Sequence, residues 1–146
     1  GPMRSALAEQ LRSSRCRDLV ELCGWKNEQE VIDLLDECRL LVLPSLSEGL
    51  PVCILEAFAR SRPIVATDVP GVRHLIDDAG GGGCLAAPGN PVSLAQAILT
   101  MVSKSPEELF AIASIGRKYV VRYHDANRNG AHLAELWTRH ATLSVQ

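Results

Sequence analysis

Four short apolar runs limit what this chain can fold into: LVELCG from Leu19, LLVLP from Leu40, PIVAT from Pro63 and CLAA from Cys84. Each is too short for a helix that buries a face, and a helix-forming segment or helical turn follows each one. A run that is apolar throughout fits a strand covered on both sides. Such strands, alternating with helices, build a parallel sheet. The spacing predicts an α/β fold whose sheet has about four strands, flanked by helices, with later helices closing the domain.

Local capping chemistry places the helices. Leu7 and Leu11 share a face in a short helix over Ser5–Ser14. Asn27 is placed to cap a helix carrying Val31, Leu34, Leu35 and Cys38, with Glu30 completing a capping box. Pro51 fits the first helical position, where its missing N–H costs nothing, ahead of an apolar face of Val52, Leu55, Phe58 and Ala59. Gly71 opens a short helical turn, and DDAGGGG reads as a break. Asn90 with Pro91, and Ser105 with Pro106, start two amphipathic helices. A last helix follows Asp125, with Leu133, Leu136 and Trp137 expected inside.

The chain has 146 residues, 47 % hydrophobic and 22 % charged, enough for one real core. A net charge of −2 gives no general attraction to nucleic acid or an anionic membrane. No stretch is apolar for long enough to span a bilayer. Cys16, Cys23, Cys38, Cys53 and Cys84 are odd in number and lack a C-x-x-C pair. They read as reduced, buried thiols of a cytoplasmic protein rather than a zinc site. Gly1-Pro2-Met3 reads as the remnant of a removed tag, leaving residues 4–146 for the fold.

Two carboxylates, Glu48 and Glu56, flank a helix start, with Gly49 and Pro51 between them. Glu48 follows an expected strand end, the region where open α/β sheets bind ligands. A helix N-terminus carries roughly half a positive charge and bare N–H groups that suit a phosphate. Glu56 falls roughly 7 Å into the helix at about 1.5 Å per residue. Carboxylates accept pairs of hydroxyls, so a ligand with hydroxyls at both ends and phosphates between would fit: a nucleoside-diphosphate sugar. The same spacing fits a solvated loop acid and an acid projecting from an apolar helix.

SEGLPVCILEAFARSRPIVATDVPG, from Ser47 to Gly71, resembles the E-x7-E segment of retaining glycosyltransferases built from two Rossmann-like domains, the GT-B architecture. The similarity extends over the strand, helix and strand before it and over GVRHLIDDAGGGGCLAAPGNPVSLAQAI after it. The nearest relatives of this type build polysaccharides, lipopolysaccharides and glycolipids. By this resemblance, Glu48 would hold sugar hydroxyls at the reacting carbon and Glu56 the ribose hydroxyls. Backbone N–H groups at Gly49 and Leu50 would meet the diphosphate, with Ser47 and Pro51 beside them. The loop with Trp25 and Lys26 would lie near the base, although Trp25 reads equally well as core packing. The family resemblance implies no metal or other cofactor, and no D-x-D motif is present.

Two departures matter. Relatives often carry an acid where His74 stands; a partly exposed, ordinary histidine is expected there, the alternatives being a histidine that still hydrogen-bonds or one that marks a different donor. His124, His132 and His140 are expected at the surface. The resemblance begins at the helix before the third strand of a donor domain, so the arginine and lysine of that domain's opening have no counterpart. The expectation is a partial donor-binding domain of an N-terminally truncated enzyme, inactive alone. The strand from Leu19 would then move beside Leu40–Pro44, dangle, or pair with another copy in a homodimer or segment exchange. The parent would act in the cytoplasm or at the inner face of the membrane. The alternatives are a nucleotide-sugar epimerase fragment and a non-catalytic interaction module.

Overall fold

The computed structural model describes residues 2–143, with side chains described as far as Arg139. Two compact units are present, Gly1–Val31 and Ile32–Gln146.

The first unit holds α1 (Arg4–Arg12), a 3₁₀ turn at Arg17–Leu19 and the start of α2 (Glu28–Glu37), which runs on into the second. The run from Leu19 forms no strand. A strand needs a neighbour for its N–H and C=O groups. Among the described residues no strand pairs with this segment; the Leu22 carbonyl accepts from the Arg4 side chain at 3.2 Å instead, and Leu19 and Val20 are exposed. The capping box of α2 forms as expected. Asn27 Oδ1 accepts from the Glu30 amide at 3.0 Å, and Glu30 Oε2 accepts from the Asn27 amide at 2.9 Å.

The second unit continues with β1 (Leu41–Leu43), α3 (Val52–Ala59), β2 (Ile64–Thr67), α4 (Pro70–Ala79) and β3 (Gly83–Ala86). It closes with α5 (Pro91–Val102), α6 (Pro106–Tyr123) and α7 (Ala126–Leu143). The sheet is parallel, in the order β1-β2-β3, with Val65 opposite Val42 on one side and Cys84 on the other. It has three strands where about four were expected, because the first apolar run stays irregular. β2 is central and buried at every position, while β1 is half-buried. Val65 anchors a cluster with Ala86, Ala97, Met101 and Leu109, joining the sheet to α5 and α6.

α3 buries Ile54, Ala57 and Phe58, and Val52 is exposed, so the inner face is rotated from the one the spacing suggests. Pro51 is its N-cap, in extended backbone, rather than its first helical residue. α4 is a full ten-residue helix, not a turn. It ends at Gly80, whose left-handed φ of 75° lets the Gly80 and Gly81 amides return to Asp77 and Ile76 at 3.0 and 2.9 Å. Gly81 and Gly82 continue at positive φ, which makes the glycine run the reversal that feeds β3. The caps at Asn90 and Ser105 form as expected.

Leu133, Leu136 and Trp137 of α7 are exposed rather than inside. All five cysteines are free, but none is buried: Cys16 and Cys23 are exposed and the other three half-buried. His74 and His132 are exposed and His124 is half-buried, while the His140 side chain lies outside the described residues. No described helix is long and apolar enough to cross a membrane.

Candidate functional site

A parallel sheet sends the carboxyl ends of its strands to one edge. Three connections leave that edge here: residues 44–51 after β1, Asp68 and Val69 after β2, and residues 87–90 after β3. They are tied together. Thr67, 3 % exposed at the end of β2, donates its hydroxyl to the Ser45 carbonyl and, at 3.4 Å, to that of Leu43. The Asp68 amide donates to the Ala86 carbonyl at 2.8 Å. The Asp68 carboxylate in turn accepts from Arg73 Nε at 2.7 Å, which spends that guanidinium on α4.

The loop from β1 to α3 carries the expected residues. Ser47 is exposed, Glu48 is half-buried, and the chain bends at Gly49 and Leu50, both exposed. Pro51 is buried and offers no side-chain cap to α3. In the first turn the Ile54 amide returns to the Pro51 carbonyl at 3.0 Å. Among the described residues, nothing accepts from the amides of Gly49, Leu50 or Val52. This helix mouth therefore offers several open N–H groups together with the positive end of the α3 dipole.

Cys53 is the second residue of α3. Its thiol is pushed above the ordinary cysteine range, first by burial, then by the Glu48 carboxylate and, more weakly, by Glu56. In the chain, Glu48 precedes the first turn of α3 and Glu56 follows it within the helix. Glu56 itself projects from an exposed position. An anion at the mouth with hydroxyl groups on either side would meet amides in the middle and acceptors at its ends.

Trp25 and Lys26 belong to the first unit. Trp25 is 97 % exposed, which removes the core-packing reading. Lys26 is half-buried and pairs with Glu30 at 2.9 Å, so its ammonium is already partnered. Three residues of the site had no assigned role in the sequence reading: Thr67, Gly71 and Cys53. The signal for the first two was the T-D-x-x-G pattern after β2. Among the described residues, no group of three or more His, Cys, Asp and Glu side chains is placed to hold a metal ion. A separate basic concavity of about 630 Å³ runs along α6 between Phe110, Arg117, Lys118, Arg122 and Arg128, and contains none of these residues.

The family model described as "Glycosyl transferases group 1" matches residues 1–104. The amylovoran biosynthesis glycosyltransferase AmsK of Erwinia amylovora is 30 % identical over 145 residues, covering 95 % of this chain and 35 % of its own length. Sucrose-phosphate synthase from Thermosynechococcus elongatus superposes with a TM-score of 0.85 at 19 % identity, over 98 % of this chain and 35 % of that one. Anabaena HepE, solved in complex with UDP and glucose, gives a TM-score of 0.81 at 24 % identity, over 92 % of this chain and 36 % of that one. The structures share the fold, and this chain spans about a third of the length of each relative.

Proposed function

Because the chain belongs to the glycosyl transferases group 1 family, we propose that its second unit holds the nucleoside-diphosphate-sugar donor of a sugar-transfer reaction. The observation that carries the reading is the α3 mouth, whose Gly49, Leu50 and Val52 amides have no acceptor among the described residues, with the half-buried Glu48 before the helix and the exposed Glu56 within it. The diphosphate sits over the open amides of Gly49, Leu50 and Val52. Glu56 accepts from the ribose hydroxyls. Glu48, with Ser47 beside it, accepts from the sugar hydroxyls and holds the anomeric carbon toward an acceptor hydroxyl. Negative charge on the departing diphosphate meets fixed dipoles that need no reorganisation, so the scheme requires no metal.

Transfer from such a donor with configuration kept, in the assembly of a polysaccharide or glycolipid, is the reaction proposed for the whole enzyme. AmsK, named for amylovoran biosynthesis, supports the polymer reading, and HepE, solved with UDP and glucose, supports the donor class. Alone, the chain is proposed to bind donor without transferring sugar.

Isothermal titration with a nucleoside diphosphate and with the matching nucleotide sugar tests this. Glu56→Ala is expected to weaken both ligands, and Glu48→Ala chiefly the nucleotide sugar. A chain that binds neither ligand, as a non-catalytic module would, contradicts the proposal.

A further inference from the structure

Gly71 lies in the first turn of α4, and its Cα faces the backbone of Glu48 and Gly49. A β-carbon there would stand 2.7 Å from the Gly49 carbonyl carbon and closer still to the carbonyl oxygens of Gly49 and Glu48. Real β-carbons do not make such contacts, and the obstruction is backbone, not a side chain that can swing away. Two successive carbonyls therefore converge on Gly71, at the positively polarised end of α4. No described peptide bond is cis, and in a planar trans peptide the N–H points opposite to the C=O. The two amides that share these carbonyls belong to Gly49 and Leu50. Both must point away from α4, in a common direction, as in a backbone anion nest. Neither finds an acceptor among the described residues, and the space around the Gly49 Cα on its side-chain side is open.

We infer that Gly71 is a positioning residue: by seating the Glu48 and Gly49 carbonyls on α4, it aims the Gly49 and Leu50 amides at one pyrophosphate oxygen cluster. The inference rests on the donor reading for its natural ligand, but the aiming is testable without it. A side chain at Gly71 lifts the loop, rotates the two peptide planes and scatters the amide pair, while the nucleoside end of the site stays in place.

The probes are inorganic pyrophosphate, a nucleoside and the corresponding nucleoside diphosphate, followed by calorimetry and by amide proton–nitrogen NMR. In the wild-type chain, pyrophosphate and the nucleoside diphosphate are expected to shift the Gly49 and Leu50 amide resonances together. Gly71→Ala is expected to abolish those shifts and to weaken the nucleoside diphosphate by about ten-fold or more, the scale of losing charge-assisted hydrogen bonds. Its affinity for the nucleoside is expected to hold. Gly116→Ala, which crowds Phe58 instead, serves as the structural control and is expected to keep the paired shifts. Should Gly71→Ala not fold, the wild-type shifts decide. Nucleoside-diphosphate binding that leaves the Gly49 and Leu50 amides unmoved overturns the inference and spares the donor reading. Pyrophosphate shifts at both amides without any added effect of the nucleoside overturn the donor reading and spare the inference. Equal losses for nucleoside and nucleoside diphosphate in Gly71→Ala reduce Gly71 to a purely structural part and overturn the inference, as does the absence of any ligand response.

Discussion

Gly116 of α6 lies directly on the ring of Phe58 of α3: a β-carbon at Gly116 would stand 2.5 Å from Phe58 Cγ and 2.6 Å from Cε1. The helix that carries Glu56 is thus held from behind by backbone against ring. Phe58 is fully buried and has no room to yield. Gly116→Ala gains up to about 1 kcal/mol of helix propensity but overpacks at a cost of about 1–3 kcal/mol. The net expected outcome is a lower melting temperature by calorimetry, with Phe58→Ala losing more, about 3–5 kcal/mol.

Thr67 holds the site loop through one hydroxyl. Replacing it with valine keeps the shape but leaves the Ser45 carbonyl, its acceptor, without that donor. The expected loss is about 1–3 kcal/mol in denaturant titration. Thr67→Ser, which keeps the hydroxyl, is expected to lose less. Donor affinity is expected to fall with stability in the valine variant, because the same loop carries Glu48.

Cys53 reports on the two acids through its reactivity. The thiolate is the species that alkylates, and burial with Glu48 and Glu56 raises the thiol's pKa, so its thiolate fraction at neutral pH is below that of an ordinary cysteine. Mass spectrometry after iodoacetamide treatment is expected to show the exposed Cys16 and Cys23 modified first. Rates at Cys53 are expected to rise with pH later than for a free cysteine in solution. Glu48→Gln removes the larger of the two carboxylate effects and is expected to speed Cys53 more than Glu56→Gln does.

Glu30 gives the first unit an acid-sensitive cap. The Asn27 amide, and next the Lys26 ammonium, hold its carboxyl below the ordinary glutamate range. A carboxyl lowered on folding stabilises the fold fully above the unfolded value of about 4.3 and stops doing so as pH falls through the lowered value. The difference in helicity between wild type and Glu30→Gln, read by circular dichroism, is expected to be largest at neutral pH and to vanish in acid.

Features set by adjacent side chains were legible in the sequence. Asn27 with Glu30, Asn90 with Pro91, and Ser105 with Pro106 each declare a helix start within four residues, and all three form. The runs at Ile64–Thr67 and Gly83–Ala86 are strands, as their apolarity implies. What was not legible depends on distant partners. LVELCG looks like a strand, but strand formation needs a neighbouring edge, which periodicity does not report. The inner face of α3 is chosen by where α6 lies, so Ile54 and Ala57 replaced Val52 and Leu55. Leu133 and Trp137 were expected inside because their helix is amphipathic, yet amphipathicity names a face and not what covers it. Glu48 and Glu56 stood out by spacing, whereas Gly71 acquires its meaning only from the carbonyls across from it.

The central claim is that Glu56 grips the ribose of a nucleoside diphosphate seated on the α3 mouth. The most direct measurement is calorimetric affinity for a ribonucleoside diphosphate and for its 2′,3′-dideoxy analogue, in the wild-type chain and in Glu56→Ala. A carboxylate accepting two hydroxyls predicts that the wild type prefers the ribose form by about 2 kcal/mol, roughly thirty-fold, and that Glu56→Ala loses the preference. Equal affinities for the two ligands in the wild type, or an unchanged preference in Glu56→Ala, would contradict it.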